Sequence, residues 1–117
     1  MVLDSVSESN SLNQVTLCGR VAAEAQEREL PSGDHIVTGR VIVDRDASAL
    51  KHSAQRVDTI DCVGWTARAQ RSMRSWRQGD QVEVNGSIRR RFFRTSGGPG
   101  SRVEVEVKSS KKLRTPP

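Results

Sequence analysis

The sequence predicts an all-β fold: a five-stranded Greek-key barrel with one helix between strands 3 and 4. Three observations carry this prediction. Five segments are β-branched or alternate apolar with polar residues, the two-residue period of a half-buried strand. One segment, between the third and fourth of these, repeats its large apolar residues at helical spacing. Clusters of Gly, Pro, Ser and Asp mark the boundaries.

The first strand is Val15 to Val21, with Gly19 marking a bulge or bend. Glu24 to Arg28 is polar and reads as a connection, and Pro31-Ser32-Gly33-Asp34 is a turn. Ile36 to Asp44 is the second strand, interrupted by Gly39. Residues 45–55 mix charges with Ser and Ala without a period and read as a long loop. Val57 to Val63 is the third strand, ended by Gly64. Trp65, Ala69, Met73 and Trp76 then share one helix face, with Arg68, Arg71, Arg74 and Arg77 on the rest. Gly79 suits the left-handed position that ends a helix. Val82 to Phe93 is the fourth strand, and Gly97-Gly98-Pro99-Gly100 is a loop tip. In the fifth strand, Arg102 to Lys108, Val103, Val105 and Val107 lie on one face and Glu104 and Glu106 on the other. This order is that of an OB-fold. The expected organisation is a flexible arm over residues 1–12, the barrel over 13–108, and a basic, disordered tail over 109–117.

Composition narrows the function. A chain of 117 residues with 34% apolar content supports one domain with a modest core. A net charge of +5 favours a polyanionic partner. No apolar run is long enough to span a bilayer, and the opening residues, with Asp4 and Glu8, do not form a secretory signal, so a cytoplasmic protein is expected. Cys18 and Cys62 sit in strand patterns and read as buried thiols. With His35 and His52 unclustered, neither a metal site nor a cofactor is expected. The sequence offers no phosphate-binding Gly-rich loop and no nucleophile with a recognisable base. Asp58 and Asp61, three apart on a strand, face opposite sides. The chain therefore reads as a binding protein without a small-molecule substrate, not an enzyme.

Six stretches carry a resemblance. They are Asn13 to Val21, Glu29-Leu30-Pro31-Ser32-Gly33, Cys62-Val63-Gly64-Trp65, Gln78 to Ile88, Arg89-Arg90-Arg91-Phe92-Phe93 and Arg102 to Val107. In order and spacing they resemble the bacterial single-stranded DNA-binding protein family. The Cys-x-x-Trp run is similar to that of its actinobacterial members. The resemblance implies an OB-fold that binds single-stranded DNA without sequence preference, in replication, recombination or repair. It also implies self-association into a homotetramer or homodimer.

Such binding needs cations along the phosphate path and flat groups for base stacking. Strand parity places Ser87, Arg89, Arg91 and Phe93 on the face opposite the core set Val82, Val84, Gly86 and Ile88; Phe92 points to the core side. Arg40 on the second strand, Arg45 and Lys51 in the following loop, and Trp65 at the helix start complete the candidate nucleic-acid-binding set; Trp76 is assigned to the core. The chain departs from the family at Val57 and Val63, where members carry aromatics, at Asp61, an acid on the binding face, and in its basic end, where members have an acidic tip. These departures leave an alternative open, an OB-fold adaptor module that has lost strong DNA binding. RNA is a further alternative ligand, because stacking and phosphate contacts do not separate it from DNA.

Overall fold

The computed structural model describes residues 10–114. The elements in chain order are β1 (Val15–Val21), β2 (Gln26–Glu29), β3 (His35–Asp44), α1 (Ala47–Leu50), β4 (Val57–Gly64), α2 (Ala67–Arg74), β5 (Gln81–Thr95) and β6 (Gly98–Arg114). The strands run in the order β1-β5-β6-β4-β3-β2, and β1 also pairs with β3, which closes the sheet on itself. All pairings are antiparallel except that of β4 with β6. This is the OB-fold barrel expected from the element order, with β2 added at the edge of β3.

The barrel interior is filled by alternate residues of its strands. Val21, Val37, Val41, Cys62, Val82, Val84, Val105 and Val107 meet Ala69, Met73 and Trp76 from α2 and its C-terminal end. The helix therefore plugs one end of the barrel. Its start is set by Thr66, whose hydroxyl accepts the Ala69 N–H at 3.1 Å, and the chain leaves its far end through Gly79 at φ +87°. Trp76 is 1% exposed, and its ring packs so close to Gly39 that a Cβ there would stand 2.9 Å from it. The glycine interruption of β3 thus makes room for the core tryptophan. Gly86 serves the crossing of β5 and β6: a Cβ there would lie 2.1 Å from the Glu106 carbonyl oxygen.

Several expectations are corrected. The polar stretch Glu24 to Arg28, read as a connection, overlaps β2, all four residues of which are exposed; backbone pairing with β3 holds it, so no apolar period announces it. One helical turn, α1, lies inside the expected loop and is capped by the Asp46 side chain accepting from Ala49 N–H at 2.9 Å. Residues 109–114, expected as disordered tail, continue β6. They pair with Gln81–Asn85; Trp76 Nε1 donates to Ser110 Oγ at 3.2 Å, and Lys112 Nζ lies 3.0 Å from the buried Asp80 carboxylate. Of the expected arm, residues 1–9 lie outside the described residues, as do 115–117 of the tail. Cys18 is exposed, because Gly19 and Val21 take the inward parity of β1. Cys62 is buried, and burial, then the nearby Asp61 and Glu104 charges, push its thiol up to about 12, so it stays protonated at neutral pH. Ile88 and Phe92 share the parity of Val82 and Val84 but lie on the part of the β5–β6 hairpin that outruns the barrel, and both are exposed. Among the described residues, no helix is long and apolar enough to cross a membrane.

The β2–β3 hairpin is fastened to the helix. Glu27 accepts from Arg74 Nε at 2.8 Å and lies 2.6 Å from His35 Nε2. The Arg74 hydrogen bond, then that of His35, lower the Glu27 pKa from 4.5 to about 2. A carboxylate held below its unfolded value stabilises the fold above that value and loses the contribution as pH falls through the folded one. The melting temperature of Glu27→Gln should therefore lie below that of the unsubstituted protein at neutral pH, and the gap should close between about pH 5 and pH 2. A gap independent of pH in thermal melts would mean that the contact acts without its charge.

Candidate nucleic-acid interface

The outward faces of β3, β4, β6 and β5 form a cleft between two raised hairpins. The β2–β3 hairpin contributes Gln26, Arg28 and Leu30 to one wall; the β5–β6 hairpin contributes Arg91, Phe93 and Arg102 to the other. The cleft consists of two adjoining hollows of about 410 and 320 Å³ that share Arg28, Thr38, Arg102 and Glu104. Arg40 and Asp61 line the first, and Val63, Ile36 and Phe93 the second. Phe93, 42% exposed, presents a ring at the wall. Trp65, which precedes α2, is half-buried, and the Arg91 guanidinium carbon lies 5.3 Å from its ring centroid.

Of the residues expected in the interface, the structure gathers four: Arg40, Arg91 and Phe93 line the hollows, and Trp65 joins them through Arg91. Arg89 is exposed on the same face of β5 but outside the hollows, with its Nε 2.8 Å from Glu106. Arg45 stands where the β3–β4 connection begins and grips Asp58, Nη2 to Oδ1 at 2.8 Å; neither it nor Lys51, exposed after α1, lines the cleft. The structure adds Arg28 and Arg102. Arg102 was legible from its parity with Glu104 and Glu106 on β6; Arg28 was hidden in the segment read as a connection.

The electrostatics are unlike a bare cationic groove. Each expected arginine faces a carboxylate: Arg40 Nε lies 3.4 Å from Asp61, Arg91 Nη2 lies 2.9 Å from Glu104, and Arg89 and Arg45 are paired as above. Asp61, the acid that stood out in the sequence, is the register partner of Arg40 across β3 and β4. The Arg40–Asp61 and Arg89–Glu106 pairs are largely exposed, and exposed pairs are worth about 0–1 kcal/mol each, whereas the Glu104 side chain is only 5% exposed. Among the described residues, Arg28 has no carboxylate within ion-pair distance, which makes it the most available cation of the cleft.

Residues 12–113 match the single-strand binding protein family. A single-stranded DNA-binding protein of Bacillus cereus is 30% identical over 94 residues, which cover 80% of this chain and 54% of that protein. Single-stranded DNA-binding protein 1 of Streptococcus agalactiae is 30% identical over 104 residues, covering 87% of this chain and 62% of that protein. The chain spans about half the length of the curated relatives it matches. Among solved structures, a Plasmodium falciparum SSB complex with ssDNA superposes with a TM-score of 0.69 at 22% identity, covering 93% of this chain and 99% of that one, a likeness of fold.

Proposed function

The chain belongs to the single-strand binding protein family, and from that premise we propose that it binds single-stranded DNA without sequence preference along the cleft, in replication, recombination or repair. The observation that carries this is the meeting of two rings, Trp65 and Phe93, with Arg28, Arg40, Arg91 and Arg102 on the outward face of one barrel. Rings offer π-faces to any base, and arginines follow the sugar-phosphate path, the combination by which single strands are held. The protein acts by binding alone, in the cytoplasm, with no chemical step.

The test is a titration of fluorescein-labelled oligo-dT by anisotropy at low and high salt, with a duplex of equal length as control. Three to four phosphate contacts imply a slope of log K against log salt of about −2 to −3, since each contact on a single strand contributes about −0.7. Much weaker binding of the duplex is expected. An absence of preference for the single strand at low salt would overturn the reading in favour of a protein-binding adaptor. An equal-length oligo-U would settle DNA against RNA.

Self-association is part of the same proposal. On the inward parity of the β5–β6 hairpin, beyond the barrel rim, Ile88, Phe92 and Val103 are exposed, Phe92 at 75%. Asn13 ties its amide to both backbone groups of Ile88 at 2.7 and 2.9 Å, next in sequence to the exposed Leu12. An apolar face of this kind suits a second copy of the chain, in a dimer or tetramer. Phe92→Glu should lower the mass seen by light scattering coupled to size exclusion; an unchanged mass would place the interface elsewhere.

A further inference from the structure

Glu104 stands out as an anion in the floor of a cleft assigned to a polyanion. Its side chain is 5% exposed, and the residue lines both hollows. Judged by charge alone it opposes binding. Its contacts point to another use. Arg91 donates Nε to Glu104 Oε2 at 3.0 Å, with Nη2 2.9 Å from the same oxygen, so one edge of the guanidinium is pinned. The register partner of Glu104 across the ladder is Arg89, yet its carboxylate engages Arg91, one step further along the same face. The same guanidinium lies over the Trp65 ring, 5.3 Å from carbon to centroid. Arg102 Nε lies 3.9 Å from the other carboxylate oxygen.

We propose that Glu104 is a positioning residue for single-strand binding: it holds Arg91 against Trp65, so that the stacked pair forms a ready-made platform for one base. The proposal rests on the reading of the cleft as a single-strand site. The physical reason is pre-organisation. An arginine has several rotatable bonds, and fixing it before the ligand arrives removes that ordering cost from the binding step. A guanidinium over an indole is also attracted by the ring's quadrupole, which steadies the ring itself.

Charge and positioning predict opposite signs for Glu104→Gln, a substitution of the same shape. If Glu104 only neutralises Arg91, removing its charge frees a cation for phosphate; oligo-dT then binds tighter and the salt slope steepens by about 0.7. If Glu104 positions Arg91, oligo-dT binds about tenfold weaker, quenching of tryptophan fluorescence by oligo-dT shrinks, and the slope does not steepen. Buried Trp76 gives a constant background in that signal. Arg91→Lys is the second arm and leaves the buried acid in place. It keeps the charge but not the flat, edge-pinned group, so the proposal requires a similar loss with the salt slope unchanged. In the double variant the losses should not add. Equal or tighter binding by Glu104→Gln, or oligo-dT affinity of Arg91→Lys equal to that of the unsubstituted protein, overturns the proposal. If Glu104→Gln loses its cooperative thermal melt, the Arg91→Lys result alone decides. Failure of the unsubstituted protein to bind oligo-dT would instead overturn the single-strand reading, and this proposal with it.

Discussion

Trp65→Ala will weaken oligo-dT binding by about 5- to 150-fold, the range that corresponds to the 1–3 kcal/mol of one base stacked on an aromatic ring. The ring is half-buried, stands before α2, and is not among the buried residues of the barrel core. Its removal also takes away the surface against which Arg91 is held. Trp65→Phe, which keeps a π-face, should recover most of the affinity. Anisotropy titrations give the binding result, and a cooperative thermal melt near that of the unsubstituted protein shows that the fold survives. If affinity is unchanged while the melt collapses, Trp65 is a packing residue and the base platform lies elsewhere. The aromatic supply of the cleft makes this test sharp. β4 carries Val57 and Val63 rather than rings, so Trp65 and Phe93 are the aromatic candidates for stacking on this face.

Trp76→Ala is expected to act on the fold with a comparable or larger effect. The side chain is 1% exposed, packs against Gly39, and closes the barrel end together with Met73. Deleting a buried tryptophan costs about 3–5 kcal/mol through lost transfer energy and the cavity left behind. It also leaves Ser110 Oγ without the indole N–H that ties the last part of β6 to α2. Single domains are stable by about 5–15 kcal/mol, so the variant should lose about a fifth or more of its stability. Urea unfolding should show a lower midpoint with a similar slope. A change below about 1 kcal/mol would mean that the barrel end collapses onto the space. The two tryptophans, eleven residues apart in sequence, thus divide between the cleft and the core, and each substitution is the control for the other.

The barrel strands, the helix α2 and the inward parity of Val82 and Val84 on β5 are local matters, and the sequence by itself determined them. Side chains alternate along a strand and recur every 3.6 residues along a helix because of backbone geometry, so Val82 and Val84 of β5, Val105 and Val107 of β6 and the Ala69, Met73, Trp76 stripe declare their inward faces without knowledge of neighbours. The same parity put Arg89, Arg91 and Phe93 outside and together. What only the tertiary structure decided depends on which strand lies beside which, and in what register. β2 has no apolar period, since its residues are all exposed and its partner is the backbone of β3. Residues 109–114 have the composition of a tail, and become strand because β5 offers a free ladder and Asp80 a buried charge for Lys112. Phe92 and Ile88 have core parity but no core beneath them, because the hairpin is longer than the barrel is deep. The pairing of Arg40 with Asp61 and of Arg91 with Glu104 joins residues 21 and 13 positions apart in the chain. No local period encodes such contacts; they arise when register sets two side chains on one face within reach of each other.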